Sequence, residues 1–340
     1  LTDIGSGLFT DRAINIVGFS ALYTFTSHTF TNAGMSGRLG PSLATIRGHA
    51  DYSAAAWRTP SGTGGVEYFK LGNDSNGTDR DGYQLWTVPA DATYKIIATG
   101  ASGAAHGNVN NGYGGKIEAH FALTKGTELL LIVGQSPMAG NGNGIGGGGG
   151  GASWVLQPAT GNEYSSGYSR SIYMIAGGGG GGQSQVHGAG TTRTAGVELV
   201  TSGASTGGSN GTSYNGGGGA GFTSNGAGST GGSAPSGGYS PGNGAFGGGT
   251  ETAGSYGGLP RQEGGFGGGG GANHHEGGGG GGYRGGNIPN YVTYASNGGG
   301  KSWVSAGGNG ASWPAAPTYT GAHTLNAVAG SHGSIYIEKM

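Results

Sequence analysis

The chain has 340 residues, and 88 of them are glycine, against a usual share of about 7%. With 15 basic and 16 acidic side chains the net charge is −1, so no Lys/Arg excess exists to neutralise the phosphates of a nucleic acid. Cysteine is absent, which removes disulfide scaffolds and thiolate metal sites. The glycines come in runs and not at every third position, so collagen is excluded. The 17 Tyr, 9 Phe and 5 Trp argue against charge-driven disorder.

Taken in chain order, residues 41–57 carry the single helix-like spacing, through Leu43, Ile46, Arg47 and Tyr52. Tyr83–Val88 and Tyr94–Thr99 read as strands separated by Pro89 and Asp91. Lys116–Leu123 alternates with period two, with Ile117, Ala119, Phe121 and Leu123 on one side. After a turn at Thr124–Thr127, Leu129–Val133 is a continuous apolar run of buried-strand length. Ser153–Leu156, Ile172–Ala176, Lys301–Ser305 and Ser334–Glu338 are further strand candidates. Many short strands punctuated by turns predict an all-β, antiparallel sandwich.

The glycines concentrate between these strands. Residues 1–100 hold 14 of them and residues 201–300 hold 41. The long runs are Gly146–Gly151, Gly177–Gly182, Gly216–Gly219, Gly267–Gly271 and Gly277–Gly282. Ordering a glycine costs roughly 0.5–1 kcal/mol more than ordering an alanine. Such runs therefore either stay flexible, as Gly/Ser linkers do, or make dense backbone hydrogen bonds that a side chain would prevent. A run of six glycines directly after the candidate strand Ile172–Ala176 favours order. Polyproline-II geometry, with three residues per turn and no internal hydrogen bonds, lets glycine chains pack side by side. The expected organisation is a connector over 1–26 and a sandwich with the first glycine runs over 27–182. A glycine-rich insertion with variable loops would follow over 183–300, and returning strands over 301–340.

Motifs for chemistry are few. Gly-x-Gly-x-x-Gly occurs only inside the glycine runs, with no βαβ unit around it. Gly298-Gly299-Gly300-Lys301-Ser302 ends like a phosphate-binding loop, but Ala295 stands where its first glycine belongs and a strand follows. His274, His275 and Glu276 adjoin, yet neighbours in an extended segment point apart and make a poor joint metal site. No Gly-x-Ser-x-Gly elbow is present. Asp74–Asp81 has the oxygen density of a calcium loop but lacks the glycine at 79 and the acid at 85, where Leu85 stands, so it also reads as a polar turn. Asn73, Asn76 and Asn210 begin glycosylation sequons. No cleavable leader is visible, and no apolar stretch approaches the roughly 20 residues that span a membrane. These observations predict no enzyme activity, no cofactor, no metal, no nucleic-acid partner and no membrane insertion.

A resemblance adds to this. Phe30-Thr31-Asn32-Ala33-Gly34 with Gly40-Pro41, Gln84–Pro89, Leu123–Gly126 and Leu131–Gln135 follow one another in a distinctive order. Gly147–Val155, Ile175–Gly182, Gly264–Gly271 and Gly277–Asn287 continue it. The series resembles the extracellular glycine-rich domain of anaplastic-lymphoma-kinase and leukocyte-tyrosine-kinase receptors, in the version found in virion proteins of marine tailed phages. The stretch Phe25–Gly34 is the more phage-like part, and the receptor cysteines are missing. The tip adhesins of T-even-type tail fibres offer a second parallel. The resemblance implies a tumour-necrosis-factor-like jelly-roll β-sandwich with an inserted bundle of polyglycine-II helices.

The expected function is then that of a phage tail fibre or adhesin domain on the virion surface. It would bind a bacterial cell-surface glycan or protein, beside other virion proteins, as a homotrimer by analogy. Candidate contact segments are 183–215, 222–246, 250–263 and 272–276, since binding residues often sit on loops held by a rigid scaffold. Within or beside them, Tyr214, Phe222, Tyr239, Tyr256, Arg261, His274, His275 and Tyr283 are candidate receptor-binding residues. Each aromatic ring could equally pack against the glycine bundle. The alternatives are a purely structural subunit of a filament, capsid decoration or extracellular matrix, and an ice-binding protein.

Overall fold

The structure is a computed structural model. It describes residues 20–60, 65–74, 77–105, 112–138, 146–158, 172–182, 205–209, 216–228, 236–249, 262–273, 276–288, 298–305, 324–325 and 330–340. The described chain is β-rich, with two antiparallel sheets and almost no helix. In chain order the strands are β1 (Ser27–Phe30), β2 (Phe69–Asn73), β3 (Asp79–Thr87), β4 (Ala92–Thr99) and β5 (Gly115–Leu123). They continue with β6 (Glu128–Ile132), β7 (Ser153–Leu156), β8 (Ile172–Ala176), β9 (Trp303–Val304), β10 (Thr324–Leu325) and β11 (Ser334–Lys339). One sheet has the order β1-β11-β4-β5-β10, the other β2-β3-β6-β7-β8-β9.

Side-chain alternation explains how the sheets pack. In β5, Ile117, Ala119, Phe121 and Leu123 are buried toward the second sheet, while Lys116 and Ala122 are exposed. Facing them across the sandwich are Trp86, Leu129, Leu131, Val155 and Met174. The uninterrupted apolar run of β6 has a different cause: its sheet is buried on both faces. Leu129, Leu131 and Val133 enter the inter-sheet core, whereas Leu130 and Ile132 join a second apolar layer on the outer face. That layer also holds Tyr83, Trp154, Leu156, Ile175, Phe222, Phe266, Tyr283 and Trp303. Phe222, Phe266 and Tyr283 come from the glycine-rich region, which covers this face of the sheet.

The segment between β1 and β2 crosses from one sheet to the other. The helical spacing of residues 41–57 becomes one short helix, α1 (Leu43–Gly48), followed by 3-10 turns at Ala50–Tyr52 and Ala56–Arg58. Ser42 caps α1, its hydroxyl accepting from the Thr45 amide at 3.2 Å. The buried Tyr52 hydroxyl donates to Gln84 Oε1 at 2.5 Å and accepts from the Thr31 amide at 2.9 Å. Gln84 Nε2 returns a bond to the Thr31 carbonyl at 2.8 Å, so the network is closed. The Arg47 guanidinium donates to the Phe69 carbonyl and the Glu67 carboxylate at the β2 edge.

Candidate functional site

The glycine segments form an array whose bonds run between chains. The run 277–283 is its centre. Gly278 and Gly281 donate to Gly147 and Gly150 at 2.9 and 3.0 Å. Gly279 and Gly282 donate to Gly217 and Ala220, and Gly280 and Tyr283 to Gly298 and Lys301. Each neighbour therefore receives every third amide of the central run, and all three neighbours run parallel to it. Two further segments bond back antiparallel to it: Gly178 and Gly181 donate to Gly281 and Gly278, and Gly270 donates to Gly279. Most glycines of the array have no room for a side chain. A Cβ on Gly151, Gly179, Gly219, Gly279, Gly286 or Gly300 would stand well inside 3.0 Å of a neighbouring backbone oxygen, a separation real Cβ atoms essentially never show.

The array continues the strands. β4 runs on into 100–104, β6 into 133–138 and β8 into 177–182, while 112–115, 146–152 and 298–301 lead into β5, β7 and β9. The described glycine segments thus draw on residues well before 183 as well as on 205–300.

Register gives the array two different ends. At the sheet end, tight turns carry the buried aromatics: Phe222, Phe266 and Tyr283. The Phe266 turn is closed by Gly267 and Gly268, whose φ of 98° and 88° lies in the left-handed region that suits glycine. At the other end, Gly147 donates to Gly182, Gly182 to Ala104, Gly146 to Asn273 and Asn273 to Glu276. Ile288 donates to Ser209 there, Ser236 to Gly249, Gly271 to Ser236 and Ala272 to Gln262. The described residues flanking 106–111, 139–145, 210–215, 229–235, 250–261, 274–275 and 289–297 lie at this end, called here the tip, as does Gly182 before 183–204; Ser205, after that segment, lies at the sheet end, where its carbonyl accepts from the Thr223 amide beside Phe222. The opposite extreme of the molecule, the base, holds the turns Val88–Asp91 and Thr124–Thr127. Leu22 donates to Pro89 there, Lys125 Nζ to the Ser20 carbonyl at 3.1 Å, and Met340 to Thr93.

The candidate residues separate accordingly. Phe222 and Tyr283 are 5% and 8% exposed, and both take the packing role. Phe222 lies 6.4 Å from Trp154, and Tyr283 stacks on Trp303 at 5.4 Å with a 13° interplanar angle. Rings held this way fasten the array to the sheet and are closed to a receptor. Tyr239 is half-buried, set edge-on to Phe246 at 6.0 Å. The Arg80 guanidinium lies 5.6 Å from the Phe246 centroid. Tyr214, Tyr256, Arg261, His274 and His275 lie outside the described residues.

The oxygen-rich turn between β2 and β3 is occupied from within. Asp74 is fully buried, Arg80 Nε donates to its carboxylate at 2.6 Å, and the Thr78 amide donates to it at 3.1 Å. These donors use the oxygens a cation would need. Among the described residues no group of three or more His, Asp or Glu side chains is placed to hold a metal. No described helix is long and apolar enough to cross a membrane.

The shifted histidines sit in the sandwich. His28 lies against Phe30, Tyr52 and Trp57 at 4.8, 4.8 and 5.0 Å, and burial pushes its pKa down to about 4, with Asp51 opposing. Burial also lowers the pKa of His332, whose Nδ1 accepts from the Ser136 amide at 3.2 Å.

Sequence reasoning missed that the tip-flanking residues share one end. The signal was present in run lengths and polarity: each glycine run leads from a strand, or from a turn bearing a buried aromatic, toward a polar segment. No protein-family model matches the chain, and no curated protein matches it.

Proposed function

We propose that the chain is a non-enzymatic adhesion module of a virion, a phage tail fibre or adhesin domain whose tip contacts a bacterial cell-surface glycan or protein. The observation that carries this reading is the base-to-tip polarity. Ser20 and Met340 stand at the base, and all the residues flanking the polar connections within the glycine-rich region except Ser205 stand together at the tip. A platform whose side-chain-free interior fixes its geometry leaves those connections free to differ in sequence. The same reading takes the array as a bundle of polyglycine-II helices, supported by the three-residue donor repeat. It takes the two sheets as a tumour-necrosis-factor-like jelly roll, in keeping with the receptor-like order of motifs. Candidate contacts remain Tyr214, Tyr256, Arg261, His274 and His275, in segments whose described flanking residues lie at the tip.

The test replaces 183–204, 210–215, 229–235 and 250–261 with Gly/Ser linkers of equal length, and His274 and His275 with Ser. Labelled protein is then applied to an array of bacterial surface polysaccharides and to bacterial cells. Loss of binding at an unchanged melting temperature supports the reading, and undiminished binding overturns it.

A purely structural subunit is the second reading. Met35, Leu39 and Met138 are 41%, 57% and 60% exposed, and Met138 packs beside Gly37 on the flank of the array. An exposed apolar group of this kind fits a subunit contact, in a homotrimer or in a filament. Sedimentation of the intact chain separates a monomer from either assembly.

A further inference from the structure

We infer that the glycine array resists mechanical force drawn along the tip-to-base axis. Its directionality follows from where the bonds lie. Along the central run 277–283, the backbone amides donate to other segments at every position from Gly278 to Tyr283. A pull along the runs therefore shears many lateral bonds together, whereas a pull across them opens one contact row at a time. Each bond adds only about 1 kcal/mol net, so resistance depends on how many are loaded at once.

Load also has a continuous path. Six array segments are the uninterrupted extensions of β4, β5, β6, β7, β8 and β9, so force passes from lateral glycine bonds into sheet ladders. Across the outer face, Phe222, Phe266 and Tyr283 lock the array onto Trp154 and Trp303. Tyr83 adds a hydroxyl bond to the Pro241 carbonyl at 2.5 Å. Ser20 and Met340 lie at the base, so a force between base and tip runs along the strong direction. The inference concerns the free molecule and does not depend on what the tip binds.

Because the chain has no cysteine, engineered ones give unique handles. Ser209→Cys with Met340→Cys pulls from tip to base. Ser209→Cys with Ala105→Cys pulls across the array, between exposed positions on either side of the central run. Single-molecule force spectroscopy without ligand should show a several-fold higher rupture force for the axial pair. Gly279→Ala in the axial background should lower that force. Equal forces, or a lower axial force, overturn the inference. If Gly279→Ala does not fold, the comparison of the two handle pairs still decides it.

Discussion

The amide of Gly281 donates to the carbonyl of Gly150 at 3.0 Å, three residues along both chains from the bond between Gly278 and Gly147. Neither glycine of the first pair tolerates a side chain. A Cβ on Gly150 would meet the Ala101 carbonyl oxygen, and one on Gly281 the Gly267 carbonyl oxygen. Close approach and periodic bonding are the same fact: chains come near enough to bond laterally because no Cβ stands between them.

Gly179→Ala and Gly279→Ala should each destabilise the fold. The added methyl faces the backbone carbonyl oxygens of Gly112 and Gly286, which cannot rotate away. Overpacking of this kind costs about 1–3 kcal/mol. Gly48→Ala is the control, since nothing lies within 4 Å of its added carbon. At the end of α1 it should be neutral or stabilise by up to about 1 kcal/mol. Melting temperatures of the three variants check this, and unchanged values for the first two would mean that the array yields locally.

Phe266→Ala should cost about 3–5 kcal/mol, as expected for emptying a fully buried ring site. The loss should be local before it is global. Hydrogen exchange should accelerate first at Gln135, Ala152 and Gly265–Gly270, whose bonds surround that turn, while β4 and β5 stay protected.

Stability should fall as pH drops from about 6.5 toward about 4. His28 is neutral in the fold with its pKa held near 4, against 6.5 when solvated, so the unfolded chain binds the extra proton in that window. Its contribution is complete above pH 6.5 and is lost on acidification. His332, lowered in the same direction, steepens the dependence. His28→Phe should flatten the melting-temperature profile between pH 6.5 and 4; an unaltered profile would assign the acid sensitivity elsewhere.

Millimolar calcium should leave the melting temperature unchanged, because Arg80 and the Thr78 amide already hold the Asp74 carboxylate. Arg80→Ala should destabilise by about 1–3 kcal/mol through loss of a charged partner to a buried carboxylate. A calcium-dependent rise in the wild type would show that the cation displaces the guanidinium.

Much of the β-framework could be read from period-two patterning, because β5 has one buried and one open face. Ser153–Leu156 and Ile172–Ala176 were bounded by the glycine runs that follow or precede them. β1, β2 and β10 were missed: Ser27–Phe30, Phe69–Asn73 and Thr324–Leu325 mix polar or glycine positions with one or two apolar ones and carry no continuous apolar run. The double-sided burial of β6 was visible as an apolar run, but not what covered its second face. That cover consists of Phe222, Phe266 and Tyr283, isolated rings among polar and glycine residues whose local sequence is the same for a packing ring and a binding one. Long-range register alone separates the two, and no local pattern encodes it.

The three-residue donor repeat also limits how such a chain can change length. Removing one residue from the run 277–283 would turn every later amide by a third of a turn, toward the wrong neighbour; removing three would restore the pattern one turn shorter. Inside the runs the sequence is thus read in triplets, and only triplet insertions or deletions keep the lattice in phase. That frame is a property of the described runs. A lineage of these chains would lengthen or shorten its glycine runs by threes and confine single-residue length differences to the segments between them.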